Sequence, residues 1–367
     1  MEEMEITTLV GTAAFIAGGL FGAIANKTNF CTMGAVSDYV YMGNAERLRA
    51  WMLAIVVAIL GSQYMHINGM VNLGDSIYLT SNLGWFGAIL GGILFGYGMT
   101  KAGGCGNKTL VRLGAGNMKS LVVMLVMGIV AYMTLRGLTG LLRINMESAT
   151  NLDLTDYGLT SQGIPEILST LFGTDPEVAR YGVIAVVAGG LLFWCFKDAA
   201  FRMNKTLIFA GISIGLLTVV GWWITGVFGY DDFDPTALMS FTFVAPSGES
   251  IQYLMIFTGA TINFGIATVG GVIFGSFIMA LFTKSFKLEA FNGTSDMTSH
   301  ILGAAMMGFG GVVALGCTVG QGITGMSTLA LGSVIALISI IFGAVWGLKA
   351  MEEESITGGL KAVFSRD

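Results

Sequence analysis

Charge is what this sequence has least of. Asp, Glu, Lys and Arg make up 11% of its 367 residues and hydrophobic types 54%, whereas soluble domains carry about 25% charged residues. So little charge cannot cover a soluble surface, and lipid must be the solvent for much of the chain. Histidine is nearly absent. His66 and His300 are the whole supply, which leaves little for haem or metal ligation, and no cofactor or metal is expected. The four cysteines include no C-x-x-C pair, which argues against a structural zinc site. Four prolines beside 54 glycines do not indicate disorder, because the glycines lie inside apolar runs where small residues let helix backbones approach. A net charge of −5 gives no footing for nucleic acid. The opening Met-Glu-Glu-Met-Glu is acidic where a signal peptide is basic, so the first apolar run is expected to be a retained helix.

Long apolar runs are abundant. Windows of the length a bilayer demands predict about nine spans. They fall near 6–26, 48–66, 84–103, 119–137, 180–196, 205–228, 257–283, 298–316 and 332–349. The segment from 250 has room for a short amphipathic piece before its span. The fold class is therefore an all-α polytopic membrane protein with short re-entrant helices. The loops alternate in charge. Lys27, Arg47 and Arg49 follow the first run; Lys101, Lys108, Arg112 and Lys119 surround the end of the third; Lys197, Arg202 and Lys205 follow the fifth. Lys284 and Lys287 follow the seventh, and Lys349, Lys361 and Arg366 follow the last. The intervening loops hold Asp75, then Glu147, Asp153, Asp156, Glu166, Asp175 and Glu177, then Asp231, Asp232, Asp234 and Glu249, with Arg143 and Arg180 as the exceptions. The positive-inside rule then predicts an extracytoplasmic N-terminus and a cytoplasmic C-terminus.

Two segments share a pattern. Gly96-Tyr-Gly-Met-Thr-Lys-Ala-Gly-Gly-Cys105 and Gly308-Phe-Gly-Gly-Val-Val-Ala-Leu-Gly-Cys317 coincide at Gly96/Gly308, Gly98/Gly310, Ala102/Ala314, Gly104/Gly316 and the cysteine. Five crossings separate their spans, so the two copies run in opposite directions, as in transporters built from inverted repeats around a midplane site. This predicts a single transmembrane domain over 1–367. Its first half is 1–137, its second 251–367, and a connecting region with two spans covers 138–250. Behind each cysteine, Gly106-Asn-Lys-Thr and Thr318-Val-Gly-Gln-Gly are polar yet lie between apolar runs. Non-helical backbone at membrane depth must be buried or line a cavity, so both are expected to be short re-entrant or broken-helix turns with N–H groups free for an anion. Gly106-Asn107-Lys108-Thr109 is not a phosphate-binding loop, because Asn107 separates the glycine from the lysine.

Candidate pathway residues follow. Cys31, Cys105 and Cys317 stand at junctions between apolar and polar sequence. Gly104, Gly106 and Gly316 would bring the backbone close, and Asn107, Thr318 and Gln321 would add donors. Lys108 and Arg112 either draw an anion to the cytoplasmic mouth or only follow the positive-inside pattern. Lys27 anchors an interface, and Asp38, Glu46 and Arg47 form a cytoplasmic turn. Cys195, in Phe193-Trp-Cys-Phe196, is a core or lipid-facing residue. His300 is an interfacial residue rather than a pore residue, and the 22 methionines are packing.

Asn29-Phe-Cys31-Thr-Met-Gly-Ala, Gly91 to Cys105, Gly271-Val-Ile-Phe-Gly-Ser-Phe277 and Met307 to Gly322 resemble the YeeE/YedE family of sulfur-transport membrane proteins, whose characterised members take up thiosulfate. The resemblance implies nine spanning helices plus short helices that meet at a constriction. It also implies three central cysteines, here Cys31, Cys105 and Cys317, that pass thiosulfate along by transient hydrogen bonds. Cys195 matches no family cysteine. Leu315-Gly316-Cys317 departs from the Gly-Gly-Cys often found there. Some relatives are linked to selenium metabolism. Members often work with a small cytoplasmic TusA-like sulfur carrier, and none is fused here.

The expected function is thus an inner-membrane permease for thiosulfate or a similar sulfur oxyanion, not an enzyme, with neutral thiols as hydrogen-bonding stations. A thiolate would repel a dianion and is costly in a dry site. Three rivals stand beside it: a thiol oxidoreductase or sulfurtransferase using the cysteines covalently, a selenium-compound transporter, and a non-transporting subunit that docks a sulfur enzyme.

Overall fold

The computed structural model describes residues 2–230 and 236–364. Asp231, Asp232, Asp234 and Arg366, used above for orientation, lie outside them. The chain is helical almost throughout. The first six helices are α1 (Glu2–Thr28), α2 (Thr32–Met42), α3 (Glu46–Ile67), α4 (Trp85–Lys101), α5 (Gly106–Gly114) and α6 (Met118–Arg136). A connecting set follows: α7 (Leu138–Thr150), α8 (Ile164–Phe172), α9 (Pro176–Phe196) and α10 (Ala199–Met203). The last set is α11 (Lys205–Trp223), α12 (Val244–Met255), α13 (Phe264–Phe282), α14 (Thr294–Val313), α15 (Leu331–Glu352) and α16 (Ile356–Phe364). Two-residue strands, β1 (Asn82–Leu83) and β2 (Leu152–Asp153), form one antiparallel pair.

Helix dominates because backbone polar groups in lipid must be satisfied within the segment. The starts are marked in the sequence. Asn117, Asn204 and Asn263 accept the N–H groups of Ser120, Leu207 and Ile266, and Asp175 precedes Pro176 at the first position of α9.

Seven helical stretches among the described residues are long and apolar enough to cross a membrane: Ile6–Met42, Glu46–Ile67, Met118–Arg136, Pro176–Phe196, Lys205–Phe228, Phe264–Phe282 and Leu331–Glu352. Two further expected spans, 84–103 and 298–316, correspond to α4 and α14. Helix α4 has only 17 residues, and α14 opens on polar Thr294-Ser-Asp-Met-Thr-Ser-His300. Each stops at a cysteine turn, after which a short helical segment continues. The breaks therefore come earlier than expected. Gly106-Asn-Lys-Thr is the first turn of α5, and 318–328 is mostly helical, with a π-turn at Gly320–Gly325.

The shared glycine pattern is a packing pattern. A Cβ on Gly91 would fall 2.6 Å from the Gly310 carbonyl oxygen, and one on Gly303 2.6 Å from that of Gly98. Those same Cβ positions lie 2.6 Å from the backbone nitrogens of Ala314 and Ala102 respectively. Gly96 abuts the Ile340 carbonyl on α15, and Gly308 abuts the Met127 carbonyl on α6. Each contact becomes the other when 91–105 is matched with 303–317, as a two-fold relation between the segments requires.

Polar contacts between residues far apart in sequence tie the basic loops together. Arg49 pairs with Asp198, Lys119 with Asp296 at 2.8 Å, and the Asn204 amide with Glu46. The two exceptions to the acidic loops are neutralised. Arg143 pairs with Glu147 at 3.0 Å and Arg180 with Glu166 at 2.5 Å.

Candidate functional site: three cysteine turns

Each candidate cysteine follows a turn of one build. At the first, Asn29 has φ 54°, its N–H reaches the Asn26 carbonyl, and the Phe30 N–H reaches that of Ala25 at 3.1 Å. At the second, Gly103 has φ 71°, its N–H reaches Thr100, and the Gly104 N–H reaches Met99 at 2.9 Å. At the third, Leu315 has φ 56°, its N–H reaches Val312, and the Gly316 N–H reaches Gly311 at 2.7 Å. This paired closure around a left-handed residue is the Schellman helix end. The next residue is the cysteine, and it opens the following helix. The Cys31, Cys105 and Cys317 carbonyls accept from Ala35, Thr109 and Gln321 at 3.0, 2.9 and 2.8 Å.

The thiols differ in how they are engaged. Cys31 Sγ accepts from the Gly34 N–H at 3.5 Å, and Cys317 Sγ from the Gly320 N–H at 3.4 Å. Both sulfurs thus act as helix N-caps, which leaves their S–H groups able to donate. The Cys105 thiol instead donates to Asn107 Oδ1 at 2.8 Å. All three cysteines are buried and free of disulfides.

The turns converge. The Cys31 and Cys105 thiols are side-chain neighbours, and Thr318 lies against Cys105. A Cβ on Gly106 would sit 4.0 Å from Cys317 Cβ. Buried around them, Asn107 Nδ2, Thr32 Oγ1 and Trp51 Nε1 have no hydrogen-bond partner among the described residues. All three can donate. A buried cluster of thiol, amide and hydroxyl donors is of the kind that can hold an anion more loosely than a fixed cation would.

The remaining candidates fall into two groups. Lys108 Nζ donates to Asn29 Oδ1, tying α5 to the Cys31 turn, while Arg112 donates to the Gly103 carbonyl at 2.6 Å. Gln321 spends its amide N–H on the Ala314 carbonyl at 2.5 Å, closing the end of α14, and its Oε1 has no partner among the described residues. Gly104 and Gly316 are tight: added Cβ atoms would meet Lys108 Cγ and the Gln321 nitrogen at 3.1 Å. Gly106 is not, since its nearest neighbour would be Phe243 Cβ at 3.6 Å.

Arg47 is not merely part of a turn. It lies on α3, pairs with Asp38 of α2 at 2.9 Å, and donates to the Asn29 carbonyl at 2.8 Å. Asn29, Thr32 and Trp51 join the candidates and were not among those read from the sequence. Asn29, two residues before Cys31 and of a type that tolerates left-handed backbone, and Thr32, directly after it, lie in one motif with the cysteine, whereas Trp51 carried no sequence signal. Cys195 contacts α3 instead. It is buried and donates to the Arg49 carbonyl at 3.3 Å.

A basic cavity of about 380 Å³ opens below the Cys105 turn, lined by Arg112, Lys119, Lys287, His300 and Glu289. His300 Nδ1 lies 2.8 Å from the Asp296 carbonyl. The Asn292 N–H and then Lys119 hold the Asp296 carboxyl below the usual carboxylate range.

The chain was compared with known proteins. It is 26% identical to the thiosulfate transporter TsuA of Escherichia coli K12 over 348 residues, covering 91% of this chain and 92% of that one. It is 23% identical to the TsuA of Spirochaeta thermophila over 332 residues, covering 89% and 95%. A family model described as sulphur transport matches residues 27–346, which include all three turns. With that match over most of its length, the chain belongs to the sulphur-transport family of multi-pass membrane proteins, and its role is transport rather than catalysis.

Proposed function

We propose that this protein is a permease for thiosulfate or a similar small sulfur oxyanion, and that Cys31, Cys105 and Cys317 are its hydrogen-bonding stations. The observation that carries this is the threefold use of one backbone device to present a thiol at a buried helix start. Such starts favour negative charge through free N–H groups and the helix dipole. Here the N–H groups at two of the three turn onto sulfur, which softens the attraction. An anion then meets weak donors in series, tight enough to enter and loose enough to leave. Asn107 and Thr318 add donors between stations. Lys108 and Arg112 brace the turns and lend positive potential on the side of the basic cavity. The thiosulfate named for the two relatives fits these features.

We place the protein in the inner membrane with its N-terminus outside, on the alternation of basic and acidic loops. A TusA-like sulfur carrier is the natural cytoplasmic acceptor on the family resemblance. The deciding experiment is uptake of labelled thiosulfate into vesicles holding the purified protein, with sulfate and selenite as competitors. Saturable uptake that thiosulfate blocks and sulfate does not supports the reading; uptake no faster than in empty vesicles ends it.

A further inference from the structure

The correspondence between the two cysteine segments extends to their neighbours. Helix α4 packs on α15 as α14 packs on α6; α1 packs on α13 as α11 packs on α3; α2 touches α3 and α15 as α12 touches α13 and α6. Each pair becomes the other when α1–α6 is exchanged for α11–α15, with 318–328 standing for α5. The second half then begins near 205 rather than at 251. In that exchange α12 is the counterpart of α2. Phe243, at the start of α12, is the counterpart of Cys31.

The surroundings agree. Thr318 lies against Cys105, which neighbours Cys31. On the other side a Cβ on Gly106 would lie 3.6 Å from Phe243 Cβ and 4.0 Å from Cys317 Cβ. Four helix starts therefore meet, three bearing a thiol and one a phenyl ring. The fourth also loses two donors that α2 has. Val244 stands where α2 has Thr32, and Pro246, which has no N–H, stands where Gly34 caps Cys31. The ring is held firmly. Phe21 lies 5.2 Å from both Phe241 and Phe243, and all three are fully buried.

We propose that Phe243 is the apolar fourth wall of the constriction and sets which anion passes. Thiosulfate presents three oxygens and one soft, weakly hydrated sulfur. Three donor stations and one apolar polarisable face match that asymmetry. Sulfate, with oxygen at every corner, would leave one oxygen desolvated against the ring without a donor, an unfavourable burial. The inference rests on the permease reading above. It concerns discrimination rather than transport as such.

The test is the ratio of thiosulfate to sulfate uptake in vesicles, which does not depend on the amount of protein. Phe243→Asn, which adds a donor, is expected to lower the thiosulfate preference about tenfold or more, whereas apolar Phe243→Leu holds it within about twofold. Phe243→Cys, matching its counterpart, should shift the ratio in the same direction as Asn. Phe264→Leu, in the same aromatic cluster through Phe241, should change yield but not the ratio. An unchanged ratio in Phe243→Asn, or equal ratios in the Asn and Leu variants, overturns the proposal and leaves the permease reading intact. Failure of both polar variants to fold while Phe243→Leu folds assigns the residue to packing and also overturns it. Absence of uptake by the unaltered protein removes the permease reading itself, and this one with it.

Discussion

Leu315 holds the left-handed backbone conformation that Gly103 holds in the matching turn, with φ 56° against 71°. A β-carbon in that conformation costs roughly 1–2 kcal/mol, which glycine avoids. Leu315 is 45% exposed, so its partial burial, worth roughly 1 kcal/mol, and the entropy of an unfolded glycine cancel most of that cost. Leu315→Gly is therefore expected to leave stability within about 1 kcal/mol of the unaltered protein. Gly103→Leu should destabilise it by about 1–2 kcal/mol. It should also disturb Arg112, whose nitrogen a Cβ would approach to 3.4 Å. Thermal unfolding in detergent measures both. A larger loss of stability for Leu315→Gly would mean the side chain contributes more than its exposure suggests.

The thiols should be separable by chemistry. Serine keeps a hydroxyl that donates and accepts, and it is a good helix N-cap, so Cys31→Ser, Cys105→Ser and Cys317→Ser should each transport better than the alanine variants. Losing a hydrogen bond to a charged group costs about 1.5–3 kcal/mol, roughly ten- to a hundredfold in occupancy of a station. A covalent relay predicts instead that serine fails as fully as alanine, being a far weaker nucleophile. Uptake at matched protein level distinguishes the two, and full uptake by every alanine variant would remove the cysteine pathway.

The three candidate glycines should not behave alike. Gly316→Leu and Gly104→Leu place side chains against atoms 3.1 Å away, distort the turn, and are expected to abolish uptake while the protein still inserts. Gly106→Ala fits at ordinary contact distance, 3.6 Å, so it should fold normally and slow transport only by narrowing the constriction. Equal loss of folded protein in all three would refute this ordering. Gel filtration and uptake together read it.

Cys195→Ala is expected to leave uptake unchanged. Its thiol donates to the Arg49 carbonyl on α3, not to a residue of the three turns, and losing that bond should cost no more than about 1 kcal/mol of stability. Uptake below half of the unaltered protein at equal yield would show that the pathway runs elsewhere.

Reporter fusions address orientation. One at the C-terminus should report the cytoplasm, and one between 145 and 175, where Arg143 and Arg180 are neutralised by Glu147 and Glu166, should report the outside. Both on one side would require a different arrangement of spans.

The sequence by itself determined the solvent, the helical class and two of the three cysteine turns. Scarcity of charge and long apolar runs leave a chain few choices in lipid, because every backbone group must be paired within its own helix. The glycines before Cys105 and Cys317 were legible because backbone contact between helices leaves no room for a side chain, and that demand falls on residue type. Only the tertiary structure decided the rest. The left-handed position two residues before each cysteine is filled by Asn29, Gly103 and Leu315, so the shared feature is a torsion angle, which three unrelated residue types satisfy. Phe243 has no likeness to Cys31, since the match between them lies in which helices pack on which. That relation depends on contacts more than 200 residues apart in sequence, such as Asn26 with Ser276, and no local pattern encodes it.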